Sequence, residues 1–287
     1  MSENAGRPYV GTSAWQKPQW RGQFYPAGLV QRRELEYFSR RLTSLEINAT
    51  FRGLMPPTSF DKWRDETPDD FVFALKGHGR VTLSPRLNNP RPKLADFFAS
   101  GLLRLEAKLG PVFWQFPETL SFDVGQVERF IEQLPRTFDE AAMLAAESKT
   151  GDWVDLGLGN RRIRYAVEVR NASFLDERFY EILRANNVAV VFTNSPEHPQ
   201  TRELTADFVY ARLSSGPDHH PDGYDDAALD EWAAAVEGWL AGTSARDAYV
   251  YFNNPGGDLP HTPFNALKLL ERLRDDSPEP TDGDQLF

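Results

Sequence analysis

The segment Tyr165-Ala166-Val167-Glu168-Val169-Arg170 places a carboxylate and a guanidinium two residues apart at the end of an otherwise apolar run. Side chains alternate along a strand, so Ala166, Glu168 and Arg170 share one face and Val167 and Val169 the other. A charge at the end of a buried strand needs a partner or a ligand, because its desolvation is costly. Other apolar runs end the same way: in Glu46 and Asn48, in Lys76, in Gln115, in Thr193 or Asn194, in Arg212, in Tyr251 and Asn253, and in Thr12 or Ser13. Among these ends Lys76, Arg170 and Arg212 are cationic, and Glu46 and Glu168 anionic. Arginines suit a carboxylate or phosphate because their donors form a planar fork. A cup with excess positive charge in an acidic protein focuses field on small anions. The leading expectation is therefore an enzyme, a hydrolase or lyase, acting on a small anionic molecule that is phosphorylated or nucleotide-like. Arg170, Arg212 and Lys76 would bind the anion, and Glu168 or Glu46 would serve as acid/base beside Lys76. Asn48, Gln115, Tyr251 and Asn253 would orient substrate, with Trp15 and Phe51 as walls able to stack on a planar ligand.

Strands spaced along the whole chain must bring these groups together. Short apolar runs at 9–12, 44–48, 71–76, 112–116, 165–170, 188–193, 208–213 and 249–253 alternate with helical patterns at 33–41, 59–64, 93–109, 124–134, 176–185, 225–241 and 264–274. The sixth unit is weak, since 201–206 offers only a turn or two. Eight such units over roughly 250 residues predict an α/β fold, a TIM-type (β/α)8 barrel in a single domain over 1–274. In that fold the strand ends form the rim where an active site sits. Each strand on this reading ends in hydrogen-bonding groups, and none begins with them. The alternative, a doubly wound open sheet, usually carries a glycine-rich phosphate turn after its first strand, and Gly11-Thr12-Ser13-Ala14-Trp15 is not one. Residues 139–163 predict an extended connection with room for a short helix. The tail 275–287, rich in Asp, Glu and Pro, predicts disorder.

Composition narrows the classes. The chain has 287 residues, of which 40% are hydrophobic and 13% aromatic, and no cysteine. Disulfides, thiolate metal sites and cysteine nucleophiles are thereby excluded, and a reducing, cytoplasmic setting fits. No apolar run approaches the roughly 20 residues that span a bilayer, so no membrane partner is expected. The net charge of −10 argues against non-specific nucleic-acid binding. Arg80, Arg86, Arg91 and Lys93 supply a modest motive for a nucleic-acid processing role, with a solvated loop favoured over it. A glycosidase-like carboxylate pair, Glu46 with Glu168, ranks lower, because three nearby cations disfavour a protonated general acid. A non-catalytic anion sensor or carrier using the same cup is the alternative from another class. No cofactor is assigned: neither a P-loop nor a Gly-x-Ser-x-Gly elbow occurs, and no metal ligands are assigned. His78 is the only histidine just past a strand end, while His219 and His220 fall in a loop.

The same residues carry a resemblance. Gly11-Thr12-Ser13-Ala14-Trp15, Trp20-Arg21-Gly22-Gln23-Phe24-Tyr25-Pro26, Leu45-Glu46-Ile47-Asn48-Ala49-Thr50-Phe51, Thr67-Pro68-Asp69-Asp70-Phe71-Val72-Phe73-Ala74-Leu75-Lys76, Trp114-Gln115-Phe116-Pro117, Ala166-Val167-Glu168-Val169-Arg170-Asn171-Ala172-Ser173-Phe174 and Tyr249-Val250-Tyr251-Phe252-Asn253-Asn254 resemble, in order, the motifs of the YecE-like family, also called domain of unknown function 72. The resemblance implies a TIM-type barrel and no established activity. Three positions depart from the family's habit: Phe174 for a tryptophan, Asn171 for a histidine, and Asn194 near a usual aspartate. At the end of the tail, Gln285, Leu286 and Phe287 form a candidate peptide anchor for a protein partner, weighed against packing on the chain's own domain.

Overall fold

The computed structural model describes residues 6–84, 87–149, 157–214, 223–241, 244–253 and 260–274. Eight parallel strands close into a barrel in chain order. They are β1 (Pro8–Thr12), β2 (Ser44–Ile47), β3 (Val72–Lys76), β4 (Leu109–Gln115), β5 (Tyr165–Glu168), β6 (Val188–Thr193), β7 (Phe208–Leu213) and β8 (Asp247–Phe252). Around them lie α1 (Glu34–Ser39), α2 (Ala49–Arg52), α3 (Pro57–Asp65), α4 (Gly79–Thr82), α5 (Arg91–Ala99), α6 (Val124–Glu132), α7 (Phe138–Ala145), α8 (Glu177–Ala185), α9 (Asp226–Leu240) and α10 (Thr262–Arg272). The (β/α)8 expectation holds. Among the described residues, no helix is long and apolar enough to cross a membrane.

Alternation sorts the core into two sets. Ala74, Phe113, Ala166, Ala189, Val191, Tyr210, Tyr249 and Tyr251 fill the barrel, while Leu45, Leu75, Val112, Trp114, Val167, Val190 and Val250 pack outward under the helices. Large rings on β4, β7 and β8 share this interior with alanines on β3, β5 and β6, and Tyr210 lies against Phe113. Complementary volumes of this kind fill a barrel without voids.

Several boundaries differ from the sequence-based expectation. The single helix expected over 93–109 is α5 followed by a 3-10 helix, Leu102–Lys108. Gly101 breaks it: its φ of 109° is left-handed, and a Cβ there would stand 2.8 Å from Pro57 Cα. Asp176 and Asp225, expected as first helical residues, are N-caps whose carboxylates accept from Arg178 and Ala228 N–H groups at 2.9 and 2.8 Å. The weak sixth unit has no helix. There Thr205 Oγ1 accepts from Val190 N and donates to Val188 O, and Trp239 of α9 packs edge-on against Phe192. Within the connection at 139–163 the start is α7, and Phe138 N and Ile163 N bond back to Arg161 O and Arg136 O.

One expectation about strand starts is overturned. β8 begins with Asp247, whose carboxylate pairs with Arg164, just before β5, at 2.6 Å; the same guanidinium donates to Tyr249 Oη at 3.0 Å. Tyr9 stacks on Tyr249 with centroids 4.7 Å apart. Polar groups therefore occupy both mouths of the barrel, and the lower one is closed by rings and an ion pair.

Gly77 shows how tightly the upper end is packed. A Cβ on it would lie 2.0 Å from the Trp114 ring, and Trp114 is fully buried between Phe97 and Phe130. Overpacking of this sort costs about 1–3 kcal/mol. Gly77→Ala is expected to lower the urea midpoint without changing its slope; an unchanged midpoint would mean that the Trp114 ring can swing aside.

Candidate functional site

The sequence-derived rim residues converge above the barrel core. Arg212, on β7, is 3% exposed and sits between two carboxylates. Its Nε and Nη2 donate to Glu46 Oε2 and Oε1, both at 3.0 Å, and its Nη1 donates to Glu168 Oε2. The remaining contacts complete both acids. Glu46 accepts from Tyr210 Oη at 2.8 Å and from Asn48 Nδ2 at 3.1 Å. Glu168 Oε1 accepts from Gln115 Nε2 at 2.8 Å and Arg170 Nε at 3.2 Å. All four carboxylate oxygens are thus engaged.

Charge follows geometry. Burial alone pushes the Glu168 carboxyl up, but Arg212, Arg170 and Lys76 outweigh it and hold it at about 2. Arg212 is buried too, which works against its charge, yet Glu168 and Glu46 drive its pKa up. Tyr210 is raised well above the phenol range by burial and by Glu46. Glu168 is therefore ionised at neutral pH and holds no proton to donate.

Lys76 has a different setting. Its Nζ donates to the neutral Gln115 Oε1 at 3.1 Å and lies 4.3 Å from the centre of the Phe51 ring. Burial first, then the charge of Arg212, push this amine down to about 8 against the upward pull of Glu168 and Glu46. Arg170 is partly exposed and makes one contact to Glu168.

These groups open onto a cavity of about 690 Å³. Lys76, Arg170, Arg212, Asn48 and Asn253 reach it, and Trp15, Trp20 and Phe51 form its apolar sides. Ser13 Oγ donates to Asn253 Oδ1 at 2.7 Å, tying the first strand's end to the eighth's. Among the described residues Lys17, Arg52 and Thr262 also line the cavity; they sit in a loop, at the end of α2 and at the start of α10, where strand alternation gives no signal. Tyr210 was legible as inward-facing, but not as the partner of Glu46.

Other candidates go elsewhere. Gln115 and Glu168 lie beneath the cavity, and Tyr251 is lower still, hydrogen-bonded to Ser44 Oγ at 2.7 Å inside the barrel. That corrects its expected contact with substrate: it sits a layer below Asn253. Trp114 and Phe174 are core, as is Tyr25, whose hydroxyl holds Trp15 O at 2.6 Å. His78 caps α4 by accepting from Arg80 N, and Asn194 donates to Tyr224 Oη. Arg91 pairs with Glu147, and Lys93 donates to Ser84 Oγ. Arg86, His219, His220, Gln285, Leu286 and Phe287 lie outside the described residues.

The comparisons agree with this architecture. The chain is 23% identical over 279 residues to the "UPF0759 protein YecE" of Escherichia coli, with 94% of each covered. It is 24% identical over 295 residues to the "UPF0759 protein YunF" of Bacillus subtilis, covering 92% of this chain and 94% of that protein. Among solved structures, a DUF72 family protein of Thermotoga maritima superposes with a TM-score of 0.71 at 23% identity, covering 93% of this chain and 99% of the other. Another, from Enterococcus faecalis, gives 0.67 at 16%, covering 95% and 99%. At such identities the structural likeness speaks for the fold. The family model described as "Protein of unknown function DUF72" matches residues 9–285, and the chain belongs to that family.

Proposed function

We propose that the rim cavity binds a small anionic molecule and that the protein is an enzyme using Lys76 for proton transfer on it. One observation carries this reading: of the three strand-end cations that line the cavity, Arg212 is neutralised by both glutamates, while Arg170 makes a single contact to Glu168 and Lys76 bonds to no carboxylate among the described residues. The reading departs from the sequence-based expectation in two roles. Arg212, expected to bind the anion, instead neutralises the glutamates. Glu168 and Glu46, expected as acid/base, have every oxygen occupied, so proton chemistry falls to Lys76. An amine near neutrality suits that task, since acid/base catalysis works best when the group's pKa lies near the working pH. A volume of about 690 Å³ lies within the range usual for small-molecule sites. The carboxylate-pair glycosidase loses support, because Glu168 has no proton to give.

The test is a thermal-shift screen of phosphate esters, nucleotides and carboxylates, each beside an uncharged analogue. Anions are expected to raise the melting temperature and the analogues are not. Arg170→Ala is expected to weaken the bound anion about tenfold or more, the worth of a charge-assisted hydrogen bond. Equal binding of charged and uncharged partners would sink the proposal. Binding with no turnover of any ligand found would favour a sensor or carrier.

A further inference from the structure

We infer that Lys76 is a Schiff-base nucleophile, and that the molecule taken up by the cavity carries a carbonyl group beside its anionic group. This deepens the proposed function and rests on its anion-binding reading. The geometry separates Lys76 from a lysine that only neutralises charge. Among the described residues its one hydrogen bond is to a neutral amide oxygen, Gln115 Oε1, and an aromatic face, Phe51, packs against the ammonium. Among the described residues no carboxylate oxygen forms an ion pair with Nζ, although Glu168 is one hydrogen bond away through Gln115. A lysine meant to stay charged would be placed on the acid itself. Here the acids are turned instead onto Arg212.

The charged neighbours from the packed strands pull both ways, with burial tipping the balance toward the free amine. Glu46 of β2 and Glu168 of β5 favour the ammonium, while Arg212 of β7 and Arg170 push protons off it. Desolvation beside cations is a general means of freeing a lysine for attack on a carbonyl. Arg170, at the end of the fifth strand, is placed to hold the ligand's carboxylate or phosphate while Nζ faces its carbonyl carbon.

The step balances without an oxidant or reductant. The uncharged Nζ attacks the carbonyl carbon, a C–N bond forms, and the carbonyl oxygen takes a proton to give a carbinolamine. Loss of that oxygen as water leaves an iminium. In sum, the lysine ammonium and the carbonyl compound give iminium and water. The bound ligand is then activated for proton loss or bond cleavage at the neighbouring carbon.

Reductive trapping tests this directly. The full-length protein is incubated with pyruvate, glyoxylate or pyridoxal phosphate, reduced with borohydride, digested and mapped by mass spectrometry. With pyruvate, the expected product is a Lys76 peptide heavier by the mass of pyruvic acid less one oxygen atom. Labelling is expected to concentrate on Lys76 rather than on the exposed Lys62 or the other lysines, to fall when inorganic phosphate competes, and to disappear in Lys76→Arg. Its rate is expected to rise with pH through about 8, as the free amine appears. A melting curve for each variant separates loss of labelling from loss of fold. If Lys76→Arg is unfolded, phosphate protection of the Lys76 peptide in the unaltered protein decides the matter. Anions that bind with no adduct on Lys76, or adducts spread evenly over the lysines, overturn the inference and leave the anion reading standing. Labelling of Lys76 by uncharged propanal as readily as by pyruvate keeps the nucleophile and overturns the anion reading. Neither binding nor labelling overturns both.

Discussion

Arg212→Met is expected to destabilise the fold by about 3–5 kcal/mol, the cost of leaving buried charge uncompensated. Two carboxylates depend on this one guanidinium: Glu46 is fully buried and Glu168 is 3% exposed. At this chain length the loss corresponds to a fall in melting temperature on the order of 10 °C. The pH dependence should weaken. In the parent protein the Glu168 carboxyl is held at about 2, below its ordinary 4.5, so its contribution is complete above about pH 4.5 and disappears as pH falls through about 2. Without Arg212, burial is opposed by Arg170 and Lys76 alone, so the carboxyl climbs from about 2 and less of its stabilisation remains at neutral pH. The gap between parent and variant is therefore wide at pH 7 and narrow near pH 3. Adding Glu46→Gln and Glu168→Gln to Arg212→Met is expected to recover part of the loss, because Gln115, Tyr210 and Asn48 can still bond to amides. Urea melts of the single and triple variants at both pH values check this. Equal losses at pH 7 and pH 3 would show that packing, not charge, is what Arg212 supplies.

Lys76→Met is expected to trade activity for stability. Removing a positioned acid or base lowers turnover by about 10²–10⁴-fold, measured on whichever ligand the anion screen yields. The fold should gain. In the folded chain the Lys76 ammonium is held at about 8, below its ordinary 10.5. Protonating it is therefore a burden on the folded state, fully present below about pH 8 and relieved as pH climbs toward 10.5. Methionine removes that burden but also gives up the Gln115 hydrogen bond and the contact with Phe51, leaving a net gain on the order of 1–3 kcal/mol at pH 7. Above pH 10.5 the advantage should vanish. Glu168→Gln adds a second check, because Glu168 raises the Lys76 pKa: the pH midpoint for reductive trapping should move below that of the parent. A variant that loses activity and stability together would instead make Lys76 a structural residue.

The order of residues was enough to determine the barrel and the identity of most of its rim. Period-two alternation placed Glu46, Lys76, Gln115, Glu168 and Arg212 on inward faces, because a strand exposes alternate side chains to opposite sides whatever its neighbours are. Outward runs such as Leu45 with Ile47 and Val167 with Val169 follow from the same rule; the weakness of the sixth unit was read from the shortness of 201–206, which offered at most a turn or two and forms no helix. The break at Gly101 was not read, since a glycine within an apolar helical pattern looks tolerable until the left-handed turn beside Pro57 requires it. Nor was the Arg164–Asp247 pair at the opposite mouth. Its members lie 83 residues apart, and only barrel closure brings them within 2.6 Å. The roles at the rim were likewise decided in three dimensions. Alternation says that Arg212, Glu46 and Glu168 face inward; it does not say that one guanidinium reaches both carboxylates. That pairing depends on the relative positions of β2, β5 and β7 across the barrel, which no local pattern encodes. It is this distant contact that neutralises Arg212 with both acids, while Arg170 keeps a single contact to Glu168 and Lys76 bonds to no carboxylate among the described residues.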